Sequence, residues 1–250
     1  MHRVIVLLSC ILLISSSLPA ADFLDKLGLG NRAGSAGRAA LSQDQLISGL
    51  KEALTKGVQH AVTNLGRTDG FLKDSKVRIP MPESLGKVEK GLRAVGQSEL
   101  ADNFVNTMNR AAEQAVPEAA GVLGESVKQM TVADAKTILA GTNTAATDYF
   151  RRTASTNLHA RFLPIVKKAT EQVGVTSAYK QMTEKANVGG LGAFSGFLGK
   201  KETLDIDSYV TSKAMDGLFV KIADQEKLIR ENPAARTSDL LQKVFGSVSK

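Results

Sequence analysis

Apolar residues recur every three or four positions along most of the chain after residue 41, and this periodicity constrains the fold more than any other feature. Leu46, Leu50, Leu54 and Val58 form one such series. This spacing places apolar side chains on one face of an α-helix, whereas the alternation of a half-buried strand is nearly absent. We therefore expect an all-α fold, a single bundle of about eight or nine helices over residues 41–247.

Helix boundaries can be located from the residues that favour capping. Ser42 and Gln45 form a capping box, in which the Ser42 hydroxyl and the Gln45 side chain each bind a backbone amide at the start of a helix. This helix is expected to end near Gly66. Thr131 and Asp134 form a variant of the same box, so a second helix start is predicted there.

Other boundaries follow from single caps and from proline. Ser98 and Asp205 are predicted to cap later helices, since their side chains accept hydrogen bonds from free amides of a first turn. Pro117 is expected to stop or restart its helix, and Pro164 is expected to bend or restart the helix that contains it. The Val77–Pro82 segment alternates apolar with other residues, but its prolines exclude a central strand. We expect a short extended segment lying on the helices.

The start of the chain, residues 1–21, has the three-part layout of a secretory signal peptide. A basic start, Met1–Arg3, precedes an apolar run, Val4–Ile14, and small residues follow. The run is shorter than the roughly 20 residues that a membrane-spanning helix needs. We predict cleavage after Ala20 or Ala21 and a periplasmic or secreted location. Residues 22–40, rich in Gly, Ala and Ser, are expected to form a flexible linker.

The only cysteine of the chain is Cys10, within the apolar run. Cleavage would leave a mature chain without disulfides, thiol nucleophiles or zinc–thiolate sites. Two alternatives remain open. Leu7–Cys10 loosely resembles a lipobox, which would make Cys10 a lipidation site, and an uncleaved leader would act as an anchor.

The charge of the chain is mildly basic. Loss of residues 1–20 removes Arg3 and no acid, so it lowers the formal net charge from +7 to +6. Many exported proteins are basic without a special ligand, although anionic lipid and lipopolysaccharide are conceivable partners. No nucleic-acid partner is expected, because a nucleic-acid face would cluster its cations and add stacking aromatic side chains.

One stretch lacks acidic residues altogether, between Asp148 and Glu171. Its cations are the candidates for an anionic-ligand site: Arg151, Arg152, Arg161, Lys167 and Lys168. At about 100° per residue they scatter around a helix. The stretch is therefore either a solvated basic surface or a patch that binds an anionic ligand.

A glycine-rich segment at residues 187–199 carries the second set of candidates. Its apolar side chains are Leu191, Phe194, Phe197 and Leu198. These residues either contact a membrane, gate an apolar pocket, or pack on the core of the protein itself.

The sequence contains no recognisable catalytic, cofactor-binding or metal-binding motif. His60 and His159 lie far apart in the chain, and neither belongs to a His-Glu-x-x-His pattern. No Gly-x-Ser-x-Gly elbow or dinucleotide fingerprint is present. We therefore predict no catalytic residue, no cofactor and no metal. Acidic residues are plentiful, so a hydrolase with an unrecognised carboxylate pair remains an alternative.

Three strings carry a resemblance to a known family. They are VRIPMP at 77–82, FLPIVKKAT at 162–170 and a longer string from Tyr209 to Arg236 that ends in IRENPAAR. Together they resemble a bacterial family of exported helical proteins catalogued only as a domain of unknown function. The resemblance covers residues 41–246 and implies a single helical domain behind a signal peptide in Gram-negative bacteria. It implies no activity, cofactor or catalytic residue.

These observations predict an exported, non-catalytic helical protein that acts as a binding or interaction module of the cell envelope. Its partner is unknown; an envelope protein or an anionic lipid is expected. The alternatives are a binder of anionic lipid or lipopolysaccharide through the basic stretch, and the hydrolase described above. No transmembrane helix is expected in the mature chain.

Overall fold

The computed structural model describes residues 42–172, 174–188 and 205–248. Within these ranges the chain contains helices and no β-strand, so the predicted all-α class is confirmed. The helices are α1 (Gln43–Gly66), α2 (Gly86–Ala94), α3 (Ser98–Ala115), α4 (Ala119–Gln129), α5 (Val132–Ala140), α6 (Ala145–Gln172), α7 (Val175–Val188), α8 (Ile206–Glu231) and α9 (Asp239–Val248). The predicted signal peptide and linker lie outside the described residues.

The two longest helices, α6 and α8, form the centre of the domain. They pack against each other, and α6 also packs against α3 and α4. Helix α1 packs against α8, α4 and α9, while α7 covers α3 and α2. The core between them contains five fully buried phenylalanines: Phe71, Phe104, Phe150, Phe162 and Phe219. Burial of such large side chains is the main source of stability in a domain without disulfides.

Both predicted capping boxes are present. The Gln45 amide donates to the Ser42 hydroxyl at 3.2 Å, and the Ser42 amide donates to Gln45 Oε1 at 2.9 Å. Thr131 and Asp134 form the equivalent pair at the start of α5. Helix α1 ends at Gly66, as predicted. These helix ends were predicted correctly because each depends on residues that are close together in the chain and can be recognised in the sequence.

One predicted cap, at Ser98, and one of the two alternatives predicted for Pro164, a restart of the helix, differ from the structure. Ser98 is not a cap but the first residue of α3, because Gly96 (φ +77°) ends α2 and the Gln97 amide then donates to the Leu92 carbonyl at 2.8 Å. A left-handed glycine after a helix is a common way to satisfy its last carbonyls. Pro164 neither stops nor restarts α6, which continues through it. Pro164 is exposed, so water can solvate the carbonyl that loses its amide partner.

The Val77–Pro82 segment lies on the helices as predicted, between α3 and α8. Asn109 of α3 accepts a hydrogen bond from the Ile79 amide at 2.8 Å and donates to the Ile79 carbonyl at 2.9 Å. Tyr209 of α8 donates its hydroxyl to the Pro80 carbonyl at 3.1 Å. A single buried side chain thus replaces the strand partner that the segment lacks.

The contact of this segment with α8 depends on Gly217. A Cβ atom at this position would lie 2.7 Å from Phe71 Cε1 and 3.2 Å from Val77 Cβ. We expect Gly217→Ala to lower the free energy of unfolding by about 1–3 kcal/mol, because neither buried neighbour can withdraw without repacking. Gly121→Ala in α4, where a Cβ meets no atom within 4 Å, is the matched control. Urea denaturation should show the control unchanged or slightly stabilised, and equal behaviour of the two variants would contradict the prediction.

Candidate functional site

Two concave surfaces lie where residues 67–80 run beside α8. The larger, which we call the ion-pair groove, is a polar cavity of about 440 Å³. Its lining residues are Asn64, Leu65, Arg67, Asp69, Gly70, Lys73, Asp74, Ser75, Lys221, Asp224 and Gln225. The smaller, which we call the basic cleft, has a volume of about 180 Å³. Its lining residues are Lys76, Val77, Arg78, Ile79, Pro80, Lys213, Asp216, Gly217 and Val220.

A third cavity is apolar and much smaller. It lies between α1, α6, α8 and α9 and measures about 20 Å³. This volume accommodates roughly one water molecule. It is therefore too small for a lipid chain or another apolar ligand in the conformation described.

A tight turn after α1 forms one wall of the ion-pair groove. Asp69 adopts a left-handed backbone conformation with φ of 67°, which is uncommon for a residue with a side chain. Its carboxylate binds Arg110 at 2.6 Å and Lys73 at 2.7 Å. At Gly70 a Cβ atom would clash with the backbone carbonyls of Asn64 and Leu65, so only glycine fits there. The turn therefore holds Asp69 at the edge of the groove.

A buried carboxylate on α3 holds the turn in place. Glu113 of α3 is 4% exposed and accepts hydrogen bonds from the amides of Phe71 and Leu72 at 3.1 and 3.3 Å. Arg110 donates to Glu113 at 2.7 Å and so joins this carboxylate to Asp69. The amides and the guanidinium satisfy the buried charge, which would otherwise be costly. The wall of the groove is thus connected to the core.

The opposite wall is one face of α8. It is formed by Lys221, Asp224 and Gln225, which are spaced so that they lie on the same side of the helix. Lys221 pairs with Asp74, and Asp224 pairs with Lys76 at 2.9 Å. Two carboxylates of the groove, Asp69 and Asp74, have pKa values below the ordinary value. The hydrogen bond from Lys73 lowers the pKa of Asp69. Burial alone would raise the pKa of Asp74, but hydrogen bonds from Lys221 and from the Lys76 amide outweigh it and lower that pKa.

This electrostatic arrangement suits binding better than proton transfer. A catalytic acid needs a pKa raised towards the working pH, usually by burial without a cationic partner. Asp69 and Asp74 have the opposite shift and remain charged acceptors at neutral pH. The groove consequently presents a fixed pattern of positive and negative groups.

These pKa shifts predict how stability depends on pH. A carboxyl group whose pKa is lower in the folded chain stabilises it above the unfolded value, and this contribution disappears as the pH falls through the folded value. The ordinary value is 3.8 for both Asp69 and Asp74. The melting temperature should therefore stay level from pH 7 to about 5 and fall below about pH 4. The Asp69→Asn, Asp74→Asn variant should be less stable at pH 7 and lose less on acidification; an equal loss would contradict this assignment.

The basic cleft, unlike the groove, is lined by residues of the Val77–Pro82 segment, and it differs from the groove in charge. Lys76, Arg78 and Lys213 line it together with one acid, Asp216. Lys76 is occupied by Asp224 of the groove, and Asp216 has Arg151 at 3.9 Å. Neither Arg78 nor Lys213 has an ion-pair partner among the described residues, so this small concavity carries an excess of positive charge.

The basic stretch predicted from the sequence is placed along α6, and all five of its cations are exposed. Arg151 lies on the side of α8, with its guanidinium 4.5 Å from the centre of the Phe219 ring. Arg152 lies on the side of α5, 3.9 Å from Asp134. The two arginines therefore leave α6 in different directions, as their angular positions indicate. For Arg161 and Lys168, the structure gives exposed positions without a described partner.

Lys167, the two histidines and the apolar loop residues were the other candidates from the sequence. Lys167 is exposed and lies near Asp205, at the start of α8. The pKa of Asp205 is lowered mainly by hydrogen bonds from Ser208, and the charge of Lys167 makes a smaller contribution in the same direction. His60 and His159 are exposed, and His60 contacts Asn64 at 3.0 Å. Within the described ranges, no group of three or more His, Cys, Asp or Glu side chains is arranged to hold a metal ion. The four apolar loop candidates, Leu191, Phe194, Phe197 and Leu198, lie outside the described residues.

Neither concave surface was predicted from the sequence. Their signal was present: residues 67–78 carry alternating charges in a segment without helical periodicity, directly after Gly66. Such a cluster outside a helix is a better marker of a site than cations spread along α6. The partners on α3 and α8 had no such signal, because they are separated from the segment by long stretches of chain.

No described helix, over residues 42–172, 174–188 and 205–248, has both the length and the apolar character to cross a bilayer.

Comparison with known proteins identifies the family of the chain. No curated protein and no solved structure matches this chain. A family model described as Protein of unknown function (DUF4197) matches residues 40–246, which is most of the sequence and nearly all of the helical domain. The helical domain thus carries the family resemblance expected from its sequence strings, and the chain belongs to the DUF4197 family.

Proposed function

We propose that this chain is a non-catalytic binding protein of the bacterial envelope and that it binds a polar partner in the ion-pair groove. The main support is the state of the groove's carboxylates. Asp69 and Asp74 are each paired with a cation and have lowered pKa values. Groups held in this state recognise charge but do not donate protons.

The chemistry of the groove favours a partner that carries both charges, such as a polar peptide. A partner of one sign would leave half of each opened ion pair without a counter-charge, which costs free energy. A partner with both signs can replace both members of a pair. Arg67 has no ion-pair partner among the described residues, and its guanidinium can bind a carboxylate through two parallel hydrogen bonds.

The envelope location is supported by the signal-peptide layout of positions 1–21. The expected result of expression in a Gram-negative host is a periplasmic protein whose intact mass corresponds to a chain that begins at Ala21 or Asp22. Intact-mass measurement of the fractionated protein checks this. Recovery of the full-length polypeptide from the cytosol would contradict export, and a mass increase at Cys10 would support the lipoprotein alternative.

Native mass spectrometry of the mature protein from the envelope fraction tests the binding function. We expect the wild type to retain an additional mass, which the Arg67→Gln, Lys73→Gln variant loses. The control, Lys136→Gln with Lys227→Gln, removes the same charge from exposed positions outside the groove and should retain the mass.

Three outcomes would contradict the proposal. A wild-type spectrum of the bare polypeptide, or equal retention by the groove variant, would exclude the groove as the binding site. Turnover of ester, glycoside or peptide substrates that is lost in Asp74→Asn would favour the hydrolase instead.

A further inference from the structure

The basic cleft is a preformed concavity. One of its walls, the Val77–Pro82 segment, is fixed by the two hydrogen bonds between Ile79 and buried Asn109 and by the bond from the Tyr209 hydroxyl to the Pro80 carbonyl. The other wall is the face of α8 around Gly217, where the missing side chain allows the close approach of Val77. A binding site built on elements held in this way needs little reorganisation to accept a ligand.

The charges of the cleft are not balanced. Lys76 is engaged by Asp224 at 2.9 Å, and the only lining acid, Asp216, has Arg151 nearby at 3.9 Å. This leaves the positive charges of Arg78 and Lys213 without a described counter-charge. A concave surface with low-dielectric walls concentrates such a field and attracts anions.

The side chains and the size of the cleft indicate the class of anion. An arginine offers a planar fork that matches phosphate oxygens, and a lysine adds a point charge to the same group. The volume of about 180 Å³ accommodates a phosphate group but not an extended polyanion. We infer that the basic cleft binds a phosphate group through Arg78 and Lys213, carried either by free phosphate or by a lipid headgroup.

This inference is independent of the ion-pair groove, because it depends on different side chains. The Arg67→Gln, Lys73→Gln variant leaves Arg78 and Lys213 in place, so it should bind phosphate as the wild type does. Failure of one proposal is therefore distinguishable from failure of the other.

The first arm of the test uses inorganic phosphate. Titration of the ¹⁵N-labelled mature protein at low ionic strength should shift the amides of residues 76–79 and 213–220. Arg78→Gln with Lys213→Gln should weaken binding by about tenfold or more, since each hydrogen bond to a charged group is worth roughly a tenfold change in affinity. The matched control is Arg161→Gln with Lys168→Gln, two exposed cations of α6, and should weaken binding less than about twofold.

The second arm distinguishes the two sources of phosphate. Vesicles of phosphatidylcholine with and without phosphatidic acid are mixed with each variant and floated at low salt. Flotation that requires phosphatidic acid and is lost in the cleft variant identifies a lipid headgroup. Phosphate-induced shifts in the cleft without flotation identify free phosphate.

Three results would overturn the inference. These are no shift at the cleft amides together with no flotation, an equal loss in the cleft and control variants, and a loss confined to the control. The last result would assign anion binding to the basic stretch of α6. Circular dichroism of both variants should match the wild type, because none of the four substituted side chains is buried.

Discussion

Replacement of Glu226 by alanine should lower the free energy of unfolding by about 3–5 kcal/mol, because it leaves a buried charge and several hydrogen-bonding groups without partners. Glu226 lies in α8 and is 8% exposed. It accepts hydrogen bonds from the amides of Ala146 and Thr147, both at 2.9 Å, and from the Thr147 hydroxyl at 3.0 Å. These amides belong to the first turn of α6, where no helical carbonyl is available to them.

The partner of Glu226 extends this connection to a third helix. Arg230 binds Glu226 at 2.9 Å and donates to the Ile138 carbonyl in the last turn of α5 at 2.8 Å. The side chains of Glu226 and Arg230 are 6% and 9% exposed, so water screens their interaction weakly. One ion pair therefore joins α8 to the start of α6 and the end of α5.

Urea denaturation of the mature protein measures this effect. The melting temperature should also fall, by roughly 2–4 °C for each kcal/mol in a domain of this size. The control is Glu125→Ala, which removes a carboxylate that is 57% exposed and 3.7 Å from Lys128. It should change stability by no more than about 0.5 kcal/mol. A Glu226 variant that loses less than about 1 kcal/mol would show that the α6 amides find another partner.

Replacement of Asn109 by leucine is expected to have the second-largest effect, a loss of about 2–4 kcal/mol. Asn109 is fully buried. Leucine keeps the branched shape of asparagine but is larger, so the change removes hydrogen bonds and adds a cost of overpacking. The amide and carbonyl of Ile79 would both lose their partner, at about 1–3 kcal/mol for each buried group. The third bond, from Asn109 to the Val105 carbonyl at 2.8 Å, is lost as well.

This substitution should also act locally. Release of Ile79 frees the Val77–Pro82 segment, so hydrogen exchange of the Ile79 amide should accelerate more than that of core amides in α6. The wall of the basic cleft is lost at the same time, and phosphate should no longer shift its amides. Asn157→Leu, at an exposed position of α6, is the control and should change neither stability nor exchange appreciably. Unchanged exchange at Ile79 would contradict the assigned role of Asn109.

Features that depend on residues close together in the chain could be predicted from the sequence, whereas contacts between residues far apart in the chain could not. The boxes at Ser42 and Thr131 and the Asp205 cap were predictable, because each involves residues within one helical turn. Ser98 was misassigned because the geometry of Gly96 defines that helix start, and a sequence does not display φ. The all-α class followed from periodicity alone.

The polar connections of the core were beyond prediction for a physical reason. Glu226 and Ala146 are 80 residues apart, and Asn109 and Ile79 are 30 apart. A buried Glu or Asn on a helix looks in sequence like a surface residue, since its partner is a backbone group that any residue could provide. The groove could not be predicted for the same reason. Its charges come from the turn after α1 and from α8, which lie far apart in the sequence although they are adjacent in the structure.

The packing of α1 has a consequence for how the chain is made. The first helix of the domain is covered by the last two, and at Gly49 a Cβ atom would lie only 2.6 Å from a methyl group of Val244 in α9. The apolar face of α1 therefore has no complete cover in the growing polypeptide until α9 has left the ribosome. Closure of this part of the core must wait until residues 49 and 244 have both been synthesised.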